Sequence, residues 1–142
     1  MPWGLRSSIE EVATGDLFIL VGCDLTEEYP VLWLRIKQAL DRGARLVIVH
    51  PQRLEVRRYA AVEVRPPVDG FAQAIADLPS RPGAGEMLTP ASQAHVFLGR
   101  LALDGPQGWT VLQAAVDLTA RAGGVLHIMR GQIGRASCRE RV

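Results

Sequence analysis

The chain has little of what several protein classes require. No apolar run approaches the roughly 20 residues that a membrane-spanning helix needs, and no secretory signal peptide is recognisable. Neither a Gly-x-Gly-x-x-Gly pattern nor a phosphate-loop pattern is present. We therefore expect no direct membrane insertion and no nucleotide site of either glycine-rich class.

The C-terminal residues 132–142, QIGRASCRERV, match a translated frame of a common sequencing adapter. We expect this tail to be foreign to the natural protein, with a natural basic tail as the alternative. Its Arg135, Arg139 and Arg141 outweigh Glu140 by +2, so the rest of the chain is near −1, against +1 overall. Without a basic footprint, nucleic acid is not an expected partner. Removal of Cys138 leaves one cysteine, which excludes a disulfide and a CxxC pair.

Residues 17–51 predict a βαβ unit. The run at 17–21 is apolar without alternation, as in a strand covered on both faces. Gly22 ends this strand, Pro30 suits a first helical position, and Gly43 suits the position after the helix. The helix has an apolar stripe of Leu32, Ile36, Ala39 and Leu40. A second apolar strand at 46–49 then returns as a parallel neighbour, and the loop after the first strand leaves the edge where open α/β sheets place ligands.

The remaining chain predicts a third strand near 59–65, a short helix at 71–78 and a proline- and glycine-rich linker. A second βαβ unit follows, with its helix at 109–123. We expect the buried side of that helix to consist of Val111, Leu112, Ala115, Val116, Leu118 and Ala122. At the N-terminus, Ser8 suits the cap of a short helix at 9–13.

These elements predict an α/β fold built from parallel-sheet, Rossmann-like three-layer βαβ units, truncated at both ends. A first lobe is expected at 1–80, a linker at 81–92 and an incomplete second lobe at 93–131, before the adapter-like tail at 132–142. We expect the chain to be an internal piece of a longer protein.

Three segments resemble a known family. The string from Asp16 to Pro51, DLFILVGCDLTEEYPVLWLRIKQALDRGARLVIVHP, is similar to the molybdopterin-oxidoreductase-type module. Its TEEYPVLWLRIKQA portion most resembles the variant in the large iron–sulfur subunit of NADH-quinone oxidoreductase, respiratory complex I. The segments RRYAAVEVRP and AHVFLGRLALDG are also similar. The resemblance covers most of residues 8–131, and its first third is specific.

The resemblance implies a parent that transfers electrons from NADH to quinone, with its iron–sulfur clusters bound outside this stretch. The implied partners are the other peripheral-arm subunits of complex I, and the implied location is the cytoplasmic side of the inner membrane, held there through the complex. This piece has no evident catalytic residues, so we expect it to be a scaffold.

Family members with a working pterin cofactor typically have Gly-x-Asn-Pro in the first loop and Asp-Pro-Arg after the second strand. Here Asp24 replaces the amide, which puts a carboxylate near anionic phosphates, and Gln52 lacks the guanidinium fork that grips them. We therefore expect no bound molybdopterin and no metal. The positions that retain a pterin-type place in the pattern are Gly22, Asp24, Pro30, His50 and Pro51.

Single reactive residues have plain structural interpretations. Cys23 could ligate a metal, but a lone cysteine beside a strand end is more often a small buried hydrophobe. His50, His95 and His127 fall in or beside predicted strands without the spacing of zinc ligands, which favours structural roles.

Glu27 and Glu28 could form an acid/base pair, but a place at a helix start favours interaction with the helix dipole and solvent. Trp33 and Trp109 lie at helix starts, where packing within the layers is favoured over contact with a partner subunit. Asp104 begins a predicted turn.

Three alternatives remain. The first is a fragment of a catalytic, formate dehydrogenase-like molybdopterin oxidoreductase. The second is the central α/β domain of a thiamine-diphosphate enzyme, which has similar HVFLGR-like strands. The third is a free-standing regulatory α/β module. The genes beside the uncut gene would discriminate among them.

Overall fold

The computed structural model describes residues 12–88, 93–105 and 107–129, and within them five strands form one sheet. The strands are β1 (Leu17–Val21), β2 (Arg45–Val49), β3 (Val62–Val64), β4 (Ala94–Leu98) and β5 (Val125–Ile128). Their order is β3-β2-β1-β4-β5, and each neighbouring pair is parallel. The predicted α/β class with a parallel, Rossmann-like sheet is thereby confirmed.

Five α-helices and several short 3-10 helices connect these strands. The α-helices are α1 (Leu25–Glu28), α2 (Pro30–Asp41), α3 (Phe71–Asp77), α4 (Arg100–Leu103) and α5 (Gly108–Ala122). The 3-10 helices are Glu55–Tyr59, Val68–Gly70, Leu78–Ser80 and Gly85–Leu88. Among the described residues, none of the helices combines the length and apolar character needed to cross a membrane.

The sheet lies between two apolar layers. In β1, Leu17, Ile19 and Val21 face the layer that contains α3 and α5, whereas Phe18 and Leu20 face the layer that contains α2. All five β1 residues are buried, because the strand is central and covered on both faces. This explains the unbroken apolar run in the sequence and confirms the three-layer arrangement.

Helix α2 follows its sequence closely. Pro30 occupies its first turn, where the missing N–H has no intrahelical partner. Gly43 has φ +108° and follows the helix, as predicted. The predicted stripe is also confirmed, since Leu32, Ile36 and Ala39 are buried and Leu40 packs against the same layer.

The two βαβ units belong to one sheet, in contrast to the two lobes predicted at 1–80 and 93–131. Strands β1 and β4 pair in register, from Leu17 opposite Ala94 to Val21 opposite Leu98. The described part of the predicted linker, 81–88, contributes Ala84, Met87 and Leu88 to the core. Proline and glycine there form tight turns that pack on the sheet, and a turn-rich composition alone does not distinguish these from a linker.

Two predicted elements differ in detail. Strand β3 is confined to Val62–Val64, because the chain before it forms the 3-10 helix Glu55–Tyr59. On α5, Val116 is 44% exposed while Thr119 is buried, contrary to the predicted apolar side. Thr119 can be buried because its hydroxyl donates to the Ala115 carbonyl oxygen at 2.7 Å. The predicted cap at Ser8 and the tail at 132–142 lie outside the described residues.

Trp33 and Trp109 differ in burial. Trp33 is 8% exposed and packs edge-on to Tyr59 at 5.6 Å between ring centroids. Trp109 is 78% exposed, so the prediction that it packs within the layers is wrong. Trp109 lies near the start of α5, on the opposite side of the helix from the buried stripe.

Candidate functional site

The carboxyl ends of β1 and β4 form the switch point of the sheet. From β1 the chain continues into α2 on one face, and from β4 it continues into α5 on the other. Open α/β sheets bind ligands where connections diverge in this way. We define the switch-point site as the residues that line this edge, namely Gly22, Cys23, Asp24, Glu28, Gly99, Arg100 and Asp104.

Two glycines close the crevice between these strand ends. Gly22 has φ +65°, and a Cβ there would lie 2.7 Å from the Ala102 nitrogen. A Cβ on Gly99 would overlap the Cys23 Cβ and the Gly22 carbonyl oxygen. The Gly99 N–H also donates to the Val21 carbonyl oxygen at 2.7 Å, which holds the two loops together. The loops after β1 and β4 therefore pack directly against each other at this edge.

Cys23 and Asp24 lie just beyond this contact. The Cys23 thiol is 1% exposed and donates to the Phe97 carbonyl oxygen at 3.7 Å. Burial, assisted by the charges of Glu28 and Asp24, raises the pKa of that thiol, so it stays protonated and unreactive. This confirms the small buried hydrophobe predicted for Cys23. Asp24 accepts a 2.6 Å hydrogen bond from the Thr26 hydroxyl, which holds its carboxylate at the start of α1.

The two glutamates of α1 have different environments. Glu27 is exposed, as expected, whereas Glu28 is half-buried and its Oε1 atom has no hydrogen-bond partner in the described part of the chain. Burial, together with the charge of Asp24, raises the pKa of Glu28 against the opposing effect of Arg100. Both glutamates lie in the first turn of α1, as predicted, but the carboxylate of Glu28 is only partly in contact with solvent.

Arg100 and Asp104 complete the edge on α4. Their side chains form a salt bridge of 2.8 Å and are about half exposed, so the pair contributes little to stability. Together with Glu28 they line an open cavity of about 390 Å³. Arg100 and Asp104 were not among the predicted site residues, although an arginine directly after the strand-ending Gly99 is a usable signal.

His50 and Pro51 directly follow β2 and are at least partly buried. His50 is 5% exposed, and its Nδ1 accepts a 3.0 Å hydrogen bond from the Gln52 N–H. Burial lowers the pKa of His50, against the effect of the Asp24 charge, so the imidazole is neutral at pH 7. Pro51 is half-buried beside it, while Pro30 is exposed at the start of α2. Of the pterin-type positions, Gly22, Asp24 and His50 lie at the same edge of the sheet, beyond the carboxyl ends of β1 and β2.

The other two histidines form a buried pair within the sheet. His95 Nδ1 and His127 Nε2 lie 2.9 Å apart, and the two rings stack at 5.1 Å between centroids. They are 3% and 0% exposed. Within residues 12–88, 93–105 and 107–129, no group of three or more His, Cys, Asp and Glu side chains is arranged to hold a metal ion. The pair instead belongs to the packing of β4 against β5.

No protein-family model matches this chain. Over 49 residues the chain is 31% identical to the F420-dependent formate dehydrogenase subunit alpha of Methanocaldococcus jannaschii. This match covers 34% of the chain and 7% of that relative's length. The similarity therefore links part of this chain to an oxidoreductase family.

Proposed function

We propose that the chain is a scaffold piece of the molybdopterin-oxidoreductase-like domain in the large peripheral-arm subunit of NADH-quinone oxidoreductase. The parent would transfer electrons from NADH to quinone through iron–sulfur clusters bound outside this piece. Its partners would be the other peripheral-arm subunits, which would hold it on the cytoplasmic side of the inner membrane. The proposal combines the TEEYPVLWLRIKQA resemblance with the state of the switch-point site.

The contact of Gly22 with Ala102 and of Gly99 with Cys23 is the observation that carries this proposal. A dinucleotide-like ligand needs its phosphates close to backbone N–H groups at this edge of the sheet. Here neither glycine has room for a methyl group, and this direct packing of the two loops supports a scaffold role over a pterin site.

Charge at the same edge supports the same conclusion. Asp24, Glu28 and Asp104 carry carboxylates, whereas Arg100 supplies one guanidinium that already pairs with Asp104. A phosphate group brought here would meet repulsion from the carboxylates and no unpaired cation within the cavity lining. The site is therefore suited to packing between elements and not to anion binding.

The second candidate is a piece of a catalytic molybdopterin oxidoreductase of the formate dehydrogenase type. The observation that favours it is the 31% identity with a formate dehydrogenase subunit over 49 residues. In that case the cofactor would lie outside the switch-point site, against parts of the parent beyond this chain.

Analysis of the intact parent separates the two candidates. The full-length protein would be purified anaerobically and assayed for iron, molybdenum and released pterin, beside a catalytic molybdopterin oxidoreductase as the positive control. The scaffold proposal expects iron without molybdenum or pterin. Stoichiometric molybdenum with pterin would overturn it in favour of the second candidate.

A further inference from the structure

Two cations lie over one half-buried aromatic ring on the α2 side of the sheet. The Lys37 ammonium nitrogen lies 5.4 Å from the centroid of the Tyr59 ring, and the Arg58 guanidinium carbon lies 5.2 Å from it. Hydrogen bonding from Lys37 lowers the pKa of the Tyr59 phenol, and the charge of Arg58 lowers it further. Both cations therefore lie close to the phenol oxygen as well as to the ring.

The cluster is held by buried groups beneath it. Trp33 and Lys37 are one turn apart on α2, and the Trp33 ring contacts the Tyr59 ring edge-on. Leu54 and Val56 are 6% and 2% exposed, which fixes the 3-10 helix Glu55–Tyr59 against the same apolar layer. The backbone positions of both cations are thus set before any ligand arrives, which reduces the entropy lost on binding.

Neither cation is neutralised within the described chain. Among the described residues, neither Lys37 nor Arg58 has a carboxylate oxygen within 4.0 Å of its side-chain nitrogens. The salt bridge between Arg100 and Asp104 lies in a different region. Two neighbouring cations and a phenol present charged and neutral donors that match the several oxygens of a phosphate group.

We propose that Lys37, Arg58 and Tyr59 form a binding site for a phosphate group. The group could belong to free phosphate or to a small phosphorylated metabolite such as a mononucleotide. The near-neutral charge of the whole chain and the small size of the cluster do not suit a nucleic-acid backbone. The site lies beside α2, where Lys37 meets the 3-10 helix Glu55–Tyr59, and it is independent of the switch-point site and of the proposed function.

The test follows the ring signals of Tyr59 by NMR in the full chain, with Tyr29, the other tyrosine, as an internal reference. Inorganic phosphate is titrated at pH 7.5 and constant ionic strength, balanced with chloride. We expect Tyr59 to shift along a saturable curve with a dissociation constant on the order of 1 mM, and Tyr29 to remain unchanged. Adenosine monophosphate in a parallel titration distinguishes the sources, since tighter binding than phosphate indicates a nucleotide and equal binding indicates free phosphate.

Matched variants localise the effect. Lys37→Met and Arg58→Met should each weaken phosphate binding about ten-fold, because each removes one charged donor. Arg35→Met on α2 and Arg57→Met on the 3-10 helix are the controls, which remove the same charge nearby and should change the affinity less than two-fold, roughly. Circular dichroism establishes that each variant is folded. A linear response of Tyr59 to phosphate, equal weakening in the control variants, or tighter binding of succinate than of phosphate would each overturn the proposal.

Discussion

The closed crevice at the switch point can be tested with Gly99→Ala. Gly99 has φ −93°, which alanine adopts freely, so the substitution adds a methyl group without backbone strain. That methyl group would overlap the Cys23 Cβ and the Gly22 carbonyl oxygen. The Gly22 oxygen is a backbone atom and the Cys23 Cβ is fixed to the backbone, so neither can move aside by rotation of a flexible side chain.

The expected cost follows from this rigidity. Overpacking in a well-packed interior costs about 1–3 kcal/mol, and contact with backbone places Gly99→Ala at about 3 kcal/mol. Against a typical domain stability of about 5–15 kcal/mol, this loss is readily measured. Gly105→Ala is the matched control, because its Cβ would lie 3.8 Å from its nearest neighbour, the Ala102 carbonyl oxygen. We expect that control to change stability by less than about 0.5 kcal/mol.

The assay is urea unfolding of both variants and the unchanged chain, followed by tryptophan fluorescence and circular dichroism. The free energy of unfolding is compared at constant m-value, since a changed slope would signal a different denatured state. If Gly99→Ala were as stable as Gly105→Ala, the loops after β1 and β4 would not touch. The crevice would then be open, and the main support for a scaffold role would be lost.

Further outcomes follow from side chains of contrasting burial. Trp33→Ala should cost about 3–5 kcal/mol in urea unfolding, whereas Trp109→Ala, at a position 78% exposed, should cost less than about 0.5 kcal/mol. His127→Phe removes the 2.9 Å hydrogen bond to His95 and should cost about 1–3 kcal/mol, with a stability equal to the unchanged chain contradicting the buried pair. Because folding raises the pKa of Glu28, the folded state retains its proton to higher pH, and this group's contribution to stability falls as pH rises above the ordinary value of 4.5. Glu28→Gln should therefore gain stability relative to the unchanged chain as pH rises above 4.5, and a gap independent of pH would refute this cause.

Much of the fold could be predicted because its signals are local. The continuous apolar runs of β1 and β2 reflect burial on both faces, and Pro30 and Gly43 mark the ends of α2 through backbone geometry alone. The pairing of β1 with β4 could not be predicted in this way. An apolar run indicates a buried strand and carries no information about which distant strand lies beside it.

In the candidate site, too, local features could be predicted from the sequence, whereas features set by distant parts of the chain could not. The burial of Cys23 follows from its place at a strand end, and the structure confirms it. The half-buried state of Glu28 depends on α4, which approaches from another part of the chain. Trp109 lies on the opposite side of α5 from the buried stripe, so its exposure agrees with helical periodicity, whereas its apolar character alone did not indicate it.

The central place of β1 also has a kinetic consequence. β1 pairs on one side with β2, which follows it closely in sequence, and on the other with β4, from which it is separated by α2, β2, β3 and α3. The entropy of closing that long loop must be met before the β1–β4 contacts can form, which slows folding of parallel sheets. We therefore expect the β1–α2–β2 unit to form first and the docking of β4 to limit the rate.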